Sequence, residues 1–130
     1  MASPMTNNPN GDGRRRTGKL GEEAAEKLLL TSGYRIIARN WRCRSGELDL
    51  IAELKDRLIF IEVRTRKASS RFGSPAESIE RRKRQRVRML AQVYMTMNGI
   101  HDTPVRFDVI AVILDRDSQI QAIDHYENAF

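Results

Sequence analysis

The sequence predicts a single α/β domain, a mixed central sheet flanked by helices in the order α-β-β-β-α-β-β. Three observations carry that prediction. A length of 130 residues suits one domain with one modest core. Two stretches, 17–32 and 77–98, place apolar side chains at helical spacing. Five shorter stretches are rich in β-branched and aromatic residues or alternate apolar with polar ones, as strands do. Helices interleaved among strands stack in layers around such a sheet.

Residues 1–16 are rich in Asn, Gly, Pro, Ser and Arg and have no hydrophobic period, so a disordered basic arm is expected there, with the domain over 17–130. From Thr17 the pattern turns helical. Thr17 or Gly18 can cap, Glu22 and Glu23 suit a first turn, and Leu20, Ala24 and Leu28 with Ala25 and Leu29 make an inward face. Gly33 supplies the left-handed residue that ends the helix. Tyr34–Cys43 reads as a strand closed by a Ser45–Gly46 turn, and Glu47–Leu54 and Arg57–Arg64 as two more. Ser69, Ser70, Gly73, Ser74 and Pro75 mark a loop over 65–76. Glu77–Asn98 follows as a long helix with Ile79, Val87, Leu90, Ala91, Tyr94 and Met97 inward, ended by Gly99. Val105–Leu114 is apolar enough for a buried strand, Asp115–Ser118 turns the chain, and Ile120–Tyr126 offers a weaker last strand.

Composition excludes several classes. No apolar run approaches the roughly 20 residues that span a bilayer. The polar N-terminal residues lack the apolar core of a secretory signal, so a cytoplasmic location without membrane partners is expected. Cys43 is the only cysteine, which excludes an internal disulfide and argues against a cysteine-based zinc site. His101 and His125 show no ligand spacing. Tyr34 and Trp41 read as packing residues before base-stacking ones, and Asp108 as a structural hydrogen bonder to Arg106 or a loop.

The net charge of +6 is unevenly spread. Residues 1–101 carry 21 basic and 11 acidic side chains, and residues 102–130 carry 2 and 6. The basic residues form four clusters: Arg14–Arg16 with Lys19; Arg35, Arg39, Arg42 and Arg44; Arg64, Arg66, Lys67 and Arg71; and Arg81, Arg82, Lys83 and Arg84 with Arg86 and Arg88. Any one cluster is explained by a solvated surface, but four in one small domain favour a phosphate-binding face. Arg66, Lys67, Arg81, Arg82, Lys83 and Arg84 are the candidate nucleic-acid contacts. For Lys83 a solvated helix face is an equally good account.

The second and third strands hold the chemistry. A two-residue turn at Lys55–Asp56, or a four-residue turn over 54–57, pairs Leu48 with Val63, Leu50 with Ile61 and Ala52 with Ile59. Leu48, Leu50, Ala52 and Leu54 then share one face. The same register sets Asp49 opposite Glu62 and Glu47 opposite Arg64. Like charges directly opposite are destabilising, so unless one carboxylate is protonated a cation is expected between Asp49 and Glu62. Arg64, Arg66 or another arginine is one candidate, with Glu47–Arg64 a plain salt bridge. A hard divalent ion is the other, and the surrounding basic clusters favour it, since a metal held by carboxylates in a basic face can hydrolyse phosphodiesters.

Gly21–Glu22, Gly46–Glu47–Leu48–Asp49–Leu50–Ile51–Ala52, Phe60–Ile61–Glu62–Val63–Arg64–Thr65–Arg66, Arg106–Phe107–Asp108–Val109 and Asn128–Ala129–Phe130 occur in that order. Together they resemble the YraN family of predicted endonucleases over about residues 17–130. That family is similar to the archaeal Holliday-junction resolvases and belongs with the PD-(D/E)xK nucleases. The resemblance implies a restriction-endonuclease-like three-layer fold and a site for Mg²⁺ or Mn²⁺ on Asp49, Glu62, the Val63 carbonyl and Glu22. Asp49 and Glu62 match the two motif acids, Glu22 matches the helix glutamate of resolvase-like members, and Arg64 stands where the motif has lysine. Arginine holds a phosphate and stabilises negative charge, but it stays protonated and cannot act as a base. The implied activity is endonucleolytic hydrolysis of DNA, branched DNA included. The alternative is a nuclease-fold module, weak or inactive in cleavage, that binds DNA or RNA. Two symmetric cuts would need two sites, which favours a homodimer.

Overall fold

A computed structural model of the chain describes residues 9–68 and 81–130. Its elements are α1 (Pro9–Thr31), β1 (Arg35–Cys43), β2 (Gly46–Leu54), β3 (Arg57–Lys67), α2 (Arg81–Met97), β4 (Val105–Leu114) and β5 (Ile120–Tyr126), in the expected order. The sheet runs β1-β2-β3-β4-β5. Its neighbours are antiparallel except β3 and β4, which are parallel because the chain between them crosses over through α2.

Alternation along the strands divides the core into two layers. Ile59 and Ile61 of β3, with Leu50, Ala52, Ile110, Val112 and Leu114, pack against Ala24, Ala25 and Leu29 of α1. Leu58 and Phe60, on the opposite face, pack with Ile51 against Val87, Leu90, Ala91 and Tyr94 of α2. The domain is therefore helix, sheet, helix in three layers. Trp41 packs edge-on to Tyr94 at 5.4 Å between ring centroids, and Tyr34 is buried, so both aromatics are packing residues.

Four expectations need correction. Helix α1 starts at Pro9 and not at Thr17, so residues 9–16 of the expected arm are helical; residues 1–8 lie outside the described residues. Proline fits a first turn, which leaves its missing N–H unneeded, and arginine is a good helix former. Periodicity could not reveal this extension, because Arg15, Arg16 and Lys19 are exposed and bury no apolar stripe. Met97 is 68% exposed, while Met95 and Ile100 pack on the α2-side core in its place. Leu48 packs in the α2 layer while Leu50 packs in the α1 layer, so the expected single face of Leu48–Leu54 breaks at Asp49. Of the loop expected over 65–76, residues 65–67 instead continue β3, where they pair with β4, and residues 69–76, with Arg71 and the beginning of the long helix with Ile79, lie outside the described residues.

Asp108 is fully buried in β4 and anchors a polar network. It accepts hydrogen bonds from Arg106 Nε at 2.9 Å, Arg106 Nη2 at 2.8 Å and the Asn128 N–H at 2.9 Å, and it pairs with His125 Nε2 at 2.7 Å. Arg106 also donates to the Tyr34 hydroxyl at 2.6 Å. Burial opposes the Asp108 charge, but hydrogen bonds from His125, Arg106 and Asn128 outweigh it and hold the carboxyl below its usual range. Beyond it, the Ala129 N–H donates to the Phe107 carbonyl and the Phe130 ring lies 5.4 Å from Phe107. Asp108→Ala would leave the buried Arg106 with only the exposed Glu127 carboxylate, 3.5 Å from Nη1. Loss of about 3–5 kcal/mol is expected in urea denaturation, with no change in the residues around Asp49.

Candidate functional site

Lys55 and Asp56 have φ of 49° and 64°, as a two-residue hairpin turn requires, and they set the register that matches apolar to apolar. Pairing of β2 with β3 runs from Leu54–Arg57 to Leu50–Ile61 and then stops. Past that point the Val63 N–H donates to Asp49 Oδ2 at 2.9 Å, so a side chain takes the place of a backbone carbonyl. A strand residue's N–H and C=O point to the same side, so the Val63 carbonyl faces this opening as well. Asn40 of β1, beside the same step, has φ of 48°. The layer change between Leu48 and Leu50 falls here too.

The opening holds the acidic pair. Asp49 is half-buried and Glu62 is buried, and the Asp49 carboxyl lies close enough to Glu62 to feel its charge. Burial, then the nearby Glu62 carboxylate, push the Asp49 carboxyl up to about 8; the Val63 N–H pulls the other way and Glu22 adds repulsion.

Glu22 reaches this neighbourhood from α1. Its carboxyl is raised by burial first; a hydrogen bond from Asn40 lowers it, and the charges of Glu47 and Glu62 raise it. Because α1 starts at Pro9, Glu22 lies mid-helix, and the first-turn dipole does not explain it. Gly21 makes its placement possible. A Cβ there would stand 2.8 Å from Thr65 Cβ and 2.9 Å from Cγ2, so only glycine lets α1 come this close to β3.

The cation on Glu62 is Lys83 of α2, with Nζ 3.0 Å from Oε2. Sequence reasoning grouped Lys83 with the phosphate contacts and missed this pairing, because nothing local links residue 83 to residue 62. Glu47 pairs with Arg42 at 2.9 Å and not with Arg64, since β1 is its paired neighbour and the β2–β3 ladder has ended. Arg64 lies half-buried on β3, two residues beyond Glu62 and on its face of the strand.

The donor set consists of carboxylate and carbonyl oxygens, which suits a hard cation that takes one or two carboxylates and keeps several waters. Asp49, Glu62 and the Val63 carbonyl are the atoms that fit. Among the described residues no three Asp, Glu, His or Cys side chains form a ready-made cage, so Glu22 stands near the pair without joining it.

The basic clusters sort by partner. Arg35, Arg39 and Arg42 are paired with Glu53, Glu26 and Glu47, which removes most of the second cluster as a phosphate site. Arg15, Arg16 and Lys19 of α1, Lys67 of β3, and Arg81 and Arg82 of α2 are exposed. Arg66 and Arg84 are half-buried and already engaged within the fold. Gly21 against Thr65 and Lys83 on Glu62 bring the α1 and α2 ends of these clusters to the same end of β3. A groove of about 580 Å³ lined by Lys19, Leu20, Glu22, Arg39 and Asn40 opens beside α1, and Glu22 and Asn40 connect it to the acidic pair. No helix among the described residues is long and apolar enough to cross a membrane.

The model of the uncharacterised protein family UPF0102 matches residues 21–112. The chain belongs to that family. UPF0102 proteins of Moorella thermoacetica, Pelotomaculum thermopropionicum and Clostridioides difficile are similar to it, at 48%, 45% and 40% identity. Those matches cover 90%, 92% and 87% of this chain and 97%, 98% and 95% of the relatives. UPF0102 is the family that the YraN-like motifs indicate, and its matched span runs from Gly21 through Asp49, Glu62 and Lys83.

Two outcomes follow from this geometry. Asp49 has a folded pKa raised above its unfolded value, so its contribution to stability is complete below about pH 4 and is lost as pH rises toward 8. In metal-free buffer, urea midpoints should fall across that range, with a slope from this group of at most about 1.4 kcal/mol per pH unit, and Asp49→Asn should flatten it. Gly21→Ala forces α1 off Thr65, and thermal unfolding should register a loss of about 1–3 kcal/mol or more.

Proposed function

We propose that this UPF0102 protein is a divalent-metal-dependent endonuclease-like protein that acts on DNA, with its centre at the opening between β2 and β3. The observation that supports this reading best is the meeting of Asp49 and Glu62, a carboxylate pair held where the strands part and bordered by Lys83 of α2. Such a site is costly to maintain as structure alone, since buried like charges disfavour the fold. It suits the binding of Mg²⁺ or Mn²⁺.

In this reading Asp49, Glu62 and the Val63 carbonyl would hold the ion, and Glu22 would add negative charge beside it. Bound there, the ion supplies Lewis-acid charge at a scissile phosphate and favours attack by water. The protein's part is orientation. The Val63 N–H fixes Asp49, and Arg64, on the same strand face as Glu62, is placed to bind a phosphate oxygen and stabilise the charge that builds on it. Exposed Arg81, Arg82 and Lys67, with Arg15, Arg16 and Lys19, bind backbone phosphates and select shape more than sequence. Water oxygen bonds to phosphorus, the P–O ester bond breaks, and the released oxygen takes the proton. A cytoplasmic setting and a homodimer with two centres fit a structure-directed nuclease of this kind.

A second reading is favoured by one specific contact. Lys83 already neutralises Glu62, so the same centre works in a binding module that does not cleave. Incubation with Mn²⁺ and a panel of linear and branched DNA separates the two. Endonuclease function predicts metal-dependent products, at least about a hundredfold fewer with Asp49→Ala or Glu62→Ala. Salt-sensitive binding without products, indifferent to metal, supports the module. Cleavage by Asp49→Ala and Glu62→Ala at the wild-type rate contradicts the site assignment.

A further inference from the structure

Position 64 of β3, where the motif lysine is expected, holds arginine, yet a lysine amine lies at the acidic pair all the same. Lys83 Nζ is 3.0 Å from Glu62 Oε2 and comes from α2, which packs on the face of β3 that Glu62 and Arg64 share. The two partners differ in freedom. The Lys83 side chain is 41% exposed and that of Glu62 only 6%, so the ammonium can withdraw into solvent while the carboxylate cannot follow it. Its four-carbon stem is flexible, and as a point charge it can exchange one anionic partner for another. Arg81 and Arg82 are exposed in the same helical turn.

We infer that Lys83 is the amine of this centre, a positioning residue that holds Glu62 while no metal is bound and moves to a backbone phosphate when a divalent cation takes its place. This rests on the reading that Asp49 and Glu62 bind metal. It assigns the role of the missing β3 lysine to a residue 21 positions from Glu62 in sequence, reached through the crossover that packs α2 on the sheet. It also makes Lys83 a competitor of the metal in the free protein and a contributor to phosphate binding in the complex, two effects of opposite sign.

That opposition gives the test. Mn²⁺ uptake by the free protein, followed by electron paramagnetic resonance, is compared for wild type, Lys83→Ala and Asp49→Ala, and DNA cleavage is measured for the same chains and for Lys83→Ala/Arg64→Lys. Lys83→Ala should bind Mn²⁺ roughly tenfold more tightly and cleave at least roughly tenfold more slowly. Returning the lysine to β3 in the double variant should restore cleavage, which a purely structural role for Lys83 would not allow. A melting temperature of Lys83→Ala close to wild type shows that the fold is intact. Equal Mn²⁺ affinity and equal cleavage in wild type and Lys83→Ala, with both lost in Asp49→Ala, overturns the role of Lys83 and leaves the nuclease reading standing. Absence of Mn²⁺ uptake in both wild type and Lys83→Ala overturns the metal-binding reading, and the inference falls with it.

Discussion

Two carboxyl groups meet at Asp49 and Glu62 where water only partly reaches them, and the elements around them are arranged so that this repulsion can be tolerated. The β2–β3 ladder ends one pair short of them, which frees the Val63 N–H to hold Asp49. A lysine from α2 closes on Glu62, and burial beside that carboxylate raises the Asp49 carboxyl above the range of an isolated aspartate. Take away the opening in the ladder and Asp49 would lose its backbone donor. Take away Lys83 and Glu62 would be a buried charge with one partner fewer.

The two helices contribute differently because they occupy opposite faces. Gly21 allows α1 to touch β3 at Thr65, and the next residue, Glu22, borders the acidic pair. Across the sheet, α2 buries Val87, Leu90, Ala91 and Tyr94, and its first turn presents Arg81, Arg82 and Lys83. The Asp108 network ties Tyr34, Arg106, His125 and the last residues together in a separate part of the same sheet. Its charges are matched by short hydrogen bonds, with no unmatched carboxylate pair like that of residues 49 and 62. That contrast separates a structural polar cluster from a candidate functional one more clearly than burial does.

Much of the fold is legible in the sequence because it rests on local rules. Alternating apolar residues in β2 and β3, with a two-residue turn between them, determine the register from Leu54–Arg57 to Leu50–Ile61, one step short of Asp49 and Glu62. The strand Val105–Leu114 is plain from its apolar run. What local rules miss has physical reasons. In the helix from Pro9, Arg15 and Arg16 are exposed, and no apolar period marks the stretch before Thr17. The layer change at Asp49 falls beside Asn40 of the neighbouring strand, whose φ is 48°, and strict alternation does not foresee it. Lys83 reaches Glu62 only through tertiary packing, and in sequence it is one basic residue among several.

The central claim is that the gap between Asp49 and Glu62 is a cation site held by Lys83. Anomalous diffraction from crystals soaked in Mn²⁺ tests it most directly. The account predicts a peak between the two carboxylates and beside the Val63 carbonyl, with the Lys83 amine withdrawn from the 3.0 Å contact it makes with Glu62. A soaked crystal with no peak there and Lys83 still seated on Glu62 would contradict it.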